Sequence, residues 1–140
     1  MRLKIKLLRE HVTPPFKKYD DDAGYDMFTP ESIDILPGER VKIPLGLAVE
    51  IPKGYFGFMR ARSSTAFKYG IESIGNVIDS TYRGEIHALL TNFGKEKVSI
   101  TQGDKIAQLL ILPVLCTGYE IVEELSPTER GSQGFGSSGN

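Results

Sequence analysis

Residues 75–85, Gly75-Asn76-Val77-Ile78-Asp79-Ser80-Thr81-Tyr82-Arg83-Gly84-Glu85, place a carboxylate, an aromatic ring, a cation and a glycine within a few positions of one another. The apolar pair Val77-Ile78 delivers Asp79 to the start of a tight turn. Asp79 is a candidate base, Tyr82 a flat stacking surface and Arg83 an anion ligand, a set that suits a phosphorylated, ring-bearing substrate. A plain hairpin turn with a solvated aspartate has the same outline, so the weight of the motif depends on the rest of the chain.

Further candidates recur along the sequence. Arg62-Ser63-Ser64 precedes the one segment with helical character, residues 64–69, which Ser63 or Ser64 would cap and Gly70 would stop. Hydroxyls and a guanidinium at a helix start can cradle phosphate, and a plain cap is the alternative. In Asp20-Asp21-Asp22-Ala23-Gly24-Tyr25-Asp26 the first carboxylates read as a solvated loop, whereas Asp26 stands apart behind small and aromatic residues. A hard carboxylate near phosphates suits Mg²⁺, which keeps most of its waters and is held largely by the substrate. Gln108 is a polar interruption of an apolar run, satisfied by backbone or aimed into a site. Residues 130–140 carry glycines, serines, Arg130 and Phe135 but no core-forming pattern. That segment reads either as a flexible tail or as an arm whose amides and hydroxyls close on an anion while Phe135 stacks on a base. His11 reads as a loop residue and His87 as the outward face of a strand, and neither has a partner at triad or metal spacing.

The elements that must position these groups are short strands. Leu3, Ile5 and Leu7 alternate with lysines as a half-buried strand. Further strands are expected at 33–36, 41–51, 55–59, 86–93, 98–100, 106–112 and 119–122, with Pro44 and Gly46 interrupting the second of these. Fifteen glycines and eight prolines fit many turns. This pattern predicts an all-β, jelly-roll-like sandwich or barrel with one very short helix. The expected division is a β-domain over 1–125 and a glycine-rich C-terminal arm over 126–140 that closes over the active site.

Composition narrows the function. With 140 residues the chain can bury a core in a single domain, and a net charge of −1 supplies no basic field for nucleic acid. Cys116 is the only cysteine, which excludes an intrachain disulfide and a cysteine-based zinc site, and its apolar neighbours place it in the core. No apolar run approaches the ~20 residues of a membrane span. The N-terminal residues alternate instead of forming a signal-peptide block. A cytoplasmic protein without membrane or nucleic-acid partners is expected.

Taken in order, five segments resemble the motifs of the trimeric dUTPases, the dUTP diphosphatases: Asp22-Ala23-Gly24-Tyr25-Asp26-Met27; Arg62-Ser63-Ser64-Thr65-Ala66; Val77 through Glu85; Gly103-Asp104-Lys105-Ile106-Ala107-Gln108-Leu109; and Arg130 through Gly139. The resemblance implies a jelly-roll subunit in a homotrimer with active sites shared between chains. It implies hydrolysis of dUTP to dUMP and pyrophosphate, which limits uracil in DNA and supplies dUMP for dTMP synthesis. Asp79 would activate the water that attacks the α-phosphate. Tyr82 would pack under the deoxyribose and exclude a 2′-hydroxyl. The hairpin from Asn76 to Ile86, with Asn76, Ile78, Glu85 and Ile86 as contact positions, would read the uracil edge, rejecting cytosine by leaving buried polar groups unpaired. Arg62, Ser63, Ser64 and Gln108 would hold phosphates, and Asp26 would reach Mg²⁺ through water. Arg130, Phe135, Gly136, Ser137 and Ser138 would close over the substrate, Phe135 on the uracil.

The chain departs from the family pattern in places. Asn76 stands where glycine is usual, Thr81 where aspartate is frequent, Gln133 where the arm has glycine, and Ser138 where threonine is common. None removes a chemical role, and Asn tolerates positive φ better than most residues. Two other readings share the scaffold. A dCTP deaminase is similar in fold and carries a comparable Arg-Ser-Ser segment, but Asp79 with Tyr82 and the glycine-rich arm favour the diphosphatase. A non-catalytic nucleotide-responsive regulator is the third reading, against which the intact Asp79 speaks.

Overall fold

Gly/Pro turn pairs cut the apolar runs into segments too short for anything but a sheet sandwich. The computed structural model describes residues 2–134. In chain order these form β1 (Lys4–Leu7), β2 (Gly24–Phe28), β3 (Ile33–Ile35), β4 (Arg40–Pro44), β5 (Leu47–Glu50), β6 (Tyr55–Arg60), α1 (Ser63–Tyr69), β7 (Ile71–Ser73), β8 (Val77–Ile78), β9 (His87–Asn92), β10 (Val98–Ile100) and β11 (Lys105–Pro113). The pairings are all antiparallel and run β2-β11-β6-β8, β4-β9-β7, β1-β5 and β10-β3. The inward faces meet in one core that includes Met27, Ile35, Ile43, Leu45, Met59, Ile86, Leu90 and Leu109. The expected all-β, jelly-roll-like architecture with one short helix is what the chain adopts.

Several local expectations are corrected. The run 41–51 is two strands, because Gly46 turns the chain between them at φ 70. A side chain there would lie 2.4 Å from Val12 Cγ2, so the turn excludes a Cβ on both counts. β1 is exposed along its whole length, not half-buried. It pairs as an edge with β5. Residues 119–122 form no strand and Cys116 is exposed. Both lie past Pro113, where β11 ends and the chain leaves the sheets. β2 carries no strand signal of its own, because Gly24-Tyr25-Asp26 looks like the end of an acidic loop, and its pairing with β11 makes it a strand.

The helix α1 buries none of its residues. It is held at its ends instead. Gly70, at φ 71, stops it as expected by donating its N–H to the Ala66 carbonyl. The N-cap is Arg62, not a serine, and no side chain caps the first turn. Ser63 is already helical, so its hydroxyl cannot play the cap's part.

Candidate functional site

The four-stranded sheet gathers one group of candidate residues. Asp26 on β2 pairs with Gln108 on β11, which pairs in turn with Arg60 on β6, so the three side chains leave the same face. A bulge at Ile106 inserts one residue into β11, so that Lys105 pairs with Phe28 and joins that face as well. Without the bulge, alternation would turn Lys105 away. Lys105 Nζ lies 2.8 Å from Asp26 Oδ2, and Arg62 Nε lies 3.1 Å from Asp26 Oδ1. Gln108 packs over Gly24, where a Cβ would meet its Oε1 at 2.8 Å, and its Nε2 donates to the Ala61 carbonyl at 3.4 Å. Gln108 is thus tied to backbone and also lines a cleft. That cleft, about 470 Å³, is lined by Asp22, Gly24, Asp26, Arg62, Ser63, Ser64, Lys105 and Gln108 among others. Ser63 and Ser64 are exposed at the uncapped start of α1, where backbone N–H groups lack helical partners and favour an anion. Lys105 is the member that sequence reasoning missed, since only the bulge brings it in.

The metal expected beside Asp26 can be tested against this donor set. Among the described residues no three His, Cys, Asp or Glu side chains converge as a metal cage. Asp26 has a cation on each oxygen, both of which a phosphate chain would attract away. A cation held mainly by phosphate oxygens, with Asp26 reaching it through water, fits; a cage made by the protein alone does not.

A second group surrounds the loop after β8. Asn76 turns the chain at φ 61, the conformation a glycine would take there, and its carbonyl accepts from Met59 N–H at 3.1 Å. Its Nδ2 is buried without a partner. Asn76, Ile78, Tyr82, Glu85 and Ile86 line a cleft of about 190 Å³ with Lys42 and His87. The loop is held from within. Tyr82 N–H donates to the Asp79 carbonyl at 3.0 Å, and its hydroxyl donates to the Glu85 carbonyl at 3.0 Å. Arg83, read as an anion ligand, instead donates Nη1 to the carbonyls of Ser80 and Tyr82 at 2.7 and 2.9 Å. Gly84 lies under the Tyr82 ring. The Glu85 carboxylate pairs with Arg9 and accepts Gly46 N–H at 2.8 Å. Burial raises the Glu85 carboxyl, but the hydrogen bonds from Arg9 and Gly46 outweigh that and hold it below the usual carboxylate range. Asp79 is exposed just past the end of β8.

The two groups do not meet within one chain. β8 and β2 are opposite edges of their sheet, three strand spacings apart, roughly 14 Å. The register sets Asp79 about four residues further along the strands than Asp26, roughly another 13 Å. The candidate base and the cationic cleft are therefore on the order of 20 Å apart. Arg130 lies outside both groups, with its guanidinium donating to the carbonyls of Gln133 and Gly134. Phe135, Gly136, Ser137 and Ser138 fall outside the described residues. No helix among the described residues is long and apolar enough to cross a membrane.

Comparison with known proteins bears on this geometry. The dUTPase family model matches residues 10–139. The deoxyuridine 5′-triphosphate nucleotidohydrolase of Nautilia profundicola is 46% identical over 141 residues, covering 99% of each chain. The mitochondrial protein of that name from Homo sapiens is 39% identical over 139 residues, 99% of this chain and 55% of the human one. Among solved structures, the dUTPase of Staphylococcus bacteriophage 80alpha with dUpNHpp superposes with a TM-score of 0.94 at 30% identity, covering 99% of each chain. A variant dUTPase of the S. aureus phage phi11, described as coordinating a structural Mg(II) ion, gives 0.85 at 27% identity over 91% of this chain and 100% of that one.

Proposed function

This chain belongs to the dUTPase family, and on that premise we propose that it hydrolyses dUTP to dUMP and pyrophosphate in sites shared between copies of a homotrimer. The observation that carries the reading is the separation just described. A cationic cleft with hydroxyls and an exposed carboxylate base are both present, but on opposite edges of one sheet, so the cleft of one copy is completed by the Asp79 loop of another. The exposed apolar side chains Leu115, Tyr119, Ile121 and Leu125, each at least 85% exposed, support association, because a segment carrying them gains by covering another copy.

In the proposed reaction Asp79 takes a proton from water as its oxygen attacks the α-phosphorus. The bond from that phosphorus to the bridging oxygen breaks, and pyrophosphate leaves. Asp79 is available as the base because it is unpaired among the described residues and is carried on a loop whose own hydrogen bonds fix its direction. Arg62, Ser63, Ser64 and Gln108 hold the phosphates, with Lys105 added to their number by the bulge. A Mg²⁺ ion, with Asp26 reaching it through water, would neutralise phosphate charge when bound. The loop from Asn76 to Ile86 receives the nucleoside, Tyr82 under the sugar. Residues 126–140, including Arg130, Phe135, Gly136, Ser137 and Ser138, close over the bound nucleotide and exclude water. The reaction limits uracil in DNA, supplies dUMP for dTMP synthesis and runs in the cytoplasm.

The test is to follow pyrophosphate and ammonia from dUTP, dCTP, dTTP and UTP with Mg²⁺. Pyrophosphate from dUTP alone is expected. Asp79→Asn should lower kcat by roughly 10³-fold with little change in KM, the size expected when a general base is lost. Ammonia from dCTP would mean deamination on the same scaffold, and unchanged turnover in the variant would remove Asp79 from the mechanism.

A further inference from the structure

Nothing in the proposed reaction accounts for the contacts of the Glu85 side chain. Its carboxylate pairs with Arg9, just past β1, and accepts the Gly46 N–H at the turn between β4 and β5 at 2.8 Å. On the other side of Gly46, its carbonyl accepts Leu8 N–H at 2.8 Å. The neighbouring backbone is tied to the same turn, with Leu45 N–H donating to the Ile86 carbonyl at 3.0 Å and Ile86 N–H to the Leu47 carbonyl at 2.8 Å. The Glu85 carbonyl in turn accepts the Tyr82 hydroxyl at 3.0 Å. Arg9 and Gly46 thus hold the Glu85 carboxylate while the Glu85 carbonyl holds the Tyr82 hydroxyl, and among the described residues no other side-chain hydrogen bond ties residues 79–85 to the body of the subunit.

We propose that Arg9 and Glu85 form a clamp that positions Tyr82 and thereby sets discrimination against a 2′-hydroxyl on the sugar. Glu85 and Arg9 are positioning residues: they touch no reacting atom but fix the carbonyl from which the tyrosine hangs. The inference rests on the proposed hydrolysis of dUTP with Tyr82 under the sugar. A steric filter works only if the excluding group cannot yield. An aromatic ring held by one hydroxyl contact on a short loop would give way by a few tenths of an ångström unless its acceptor were anchored. The peptide that carries this acceptor is held at Ile86 N–H by the Leu47 carbonyl, and the Glu85 carboxylate adds a second anchor, a charge-assisted pair of contacts to a cation and a backbone N–H that is stronger than neutral ones. The surface position of Arg9 does not make the pair redundant, because Glu85 is the better shielded partner and its carboxylate also serves Gly46.

The experiment compares kcat/KM for dUTP and UTP in the full chain and in Arg9→Ala, Arg9→Lys, Glu85→Gln and Glu85→Ala, with the Tyr82 ring resonances followed by NMR without nucleotide. Arg9→Ala and Glu85→Ala should lower the dUTP-to-UTP ratio about tenfold, the scale of a relaxed steric filter, and shift the Tyr82 resonances. Glu85→Gln keeps an acceptor for Gly46 N–H and should recover part of the ratio, as should Arg9→Lys. An unchanged ratio and unmoved resonances in folded Arg9→Ala and Glu85→Gln would overturn the clamp, even if Glu85→Ala failed to fold. A wild-type chain inert toward dUTP would overturn the proposed hydrolysis instead, while the Tyr82 resonances would still report on the clamp.

Discussion

A methyl group at position 84 would lie 2.4 Å from the Tyr82 hydroxyl oxygen and 2.6 Å from the ring carbon bearing it, well inside van der Waals contact. Its obstacle is the far end of the Tyr82 side chain, which can make room only by giving up its hydrogen bond to the Glu85 carbonyl, so Gly84→Ala should cost no more than about 1 kcal/mol of stability while pushing the ring off its seat. The expected result is a normal melting curve with kcat/KM for dUTP reduced about tenfold. A variant that melts early, or one with full activity, would show that the ring's place is not what Gly84 protects. The pH dependence of the neighbouring clamp follows from its sign. The Glu85 carboxyl is lowered on folding, so its stabilising contribution is complete above the ordinary carboxylate value and fades only as pH falls through the lowered one. The residue types in this loop announced chemistry in the sequence, but their division of labour did not. Arg83 reads as an anion ligand until its guanidinium is seen on the carbonyls of Ser80 and Tyr82, and Glu85 reads as a contact residue until Arg9, 76 positions away, closes on it.

At the scale of elements, α1 shows how little holds one wall of the cationic cleft in place. A helix with no buried residue gains no stability from an apolar face and depends on its two ends. At one end Arg62 reaches Asp26. At the other, Gly70 packs so closely on the turn after β9 that a Cβ would stand 2.7 Å from Gly94 N, at a φ of 71. Both strain and backbone overlap oppose a side chain, so Gly70→Ala should destabilise the protein by about 2 kcal/mol or more in urea. The same change should raise KM for dUTP more than it lowers kcat, because Ser63 and Ser64 ride on the displaced helix. An unaltered urea midpoint would contradict this account of how α1 is held. Gly70 was legible as a stop signal from its type and place, whereas β2 and the bulge at Ile106 were not, since both exist only through pairing between residues 77 to 86 positions apart. Local pattern reports alternation; it does not report which distant strand supplies the partner. The reverse error, a strand expected at 119–122, has the same origin: the apolar pattern is there, but among the described residues no strand pairs with it.

For the whole molecule, the central feature is incompleteness. A subunit with its cationic cleft on one sheet edge and its candidate base on the other, on the order of 20 Å apart, cannot bring water, base and phosphate together alone. Composition and spacing do not reveal this, because all five motifs fit within a chain of ordinary domain size and their spacing is silent about which edge each occupies; shared sites were implied only by the family resemblance those motifs carry. The proposed closed trimer would repair it three times over, every copy lending its Asp79 loop to one neighbour and its cleft to another. The measurement that tests this most directly is complementation. Asp79→Asn and Arg62→Ala, each inactive alone, are co-expressed in equal amounts, and pyrophosphate release from dUTP is measured on the purified mixed oligomer. Shared sites predict recovery of about a quarter of wild-type activity, because one site in four then pairs an intact Asp79 with an intact Arg62 from different copies. A mixed oligomer as silent as its parents, with both variants folded and assembled together, would contradict the shared site.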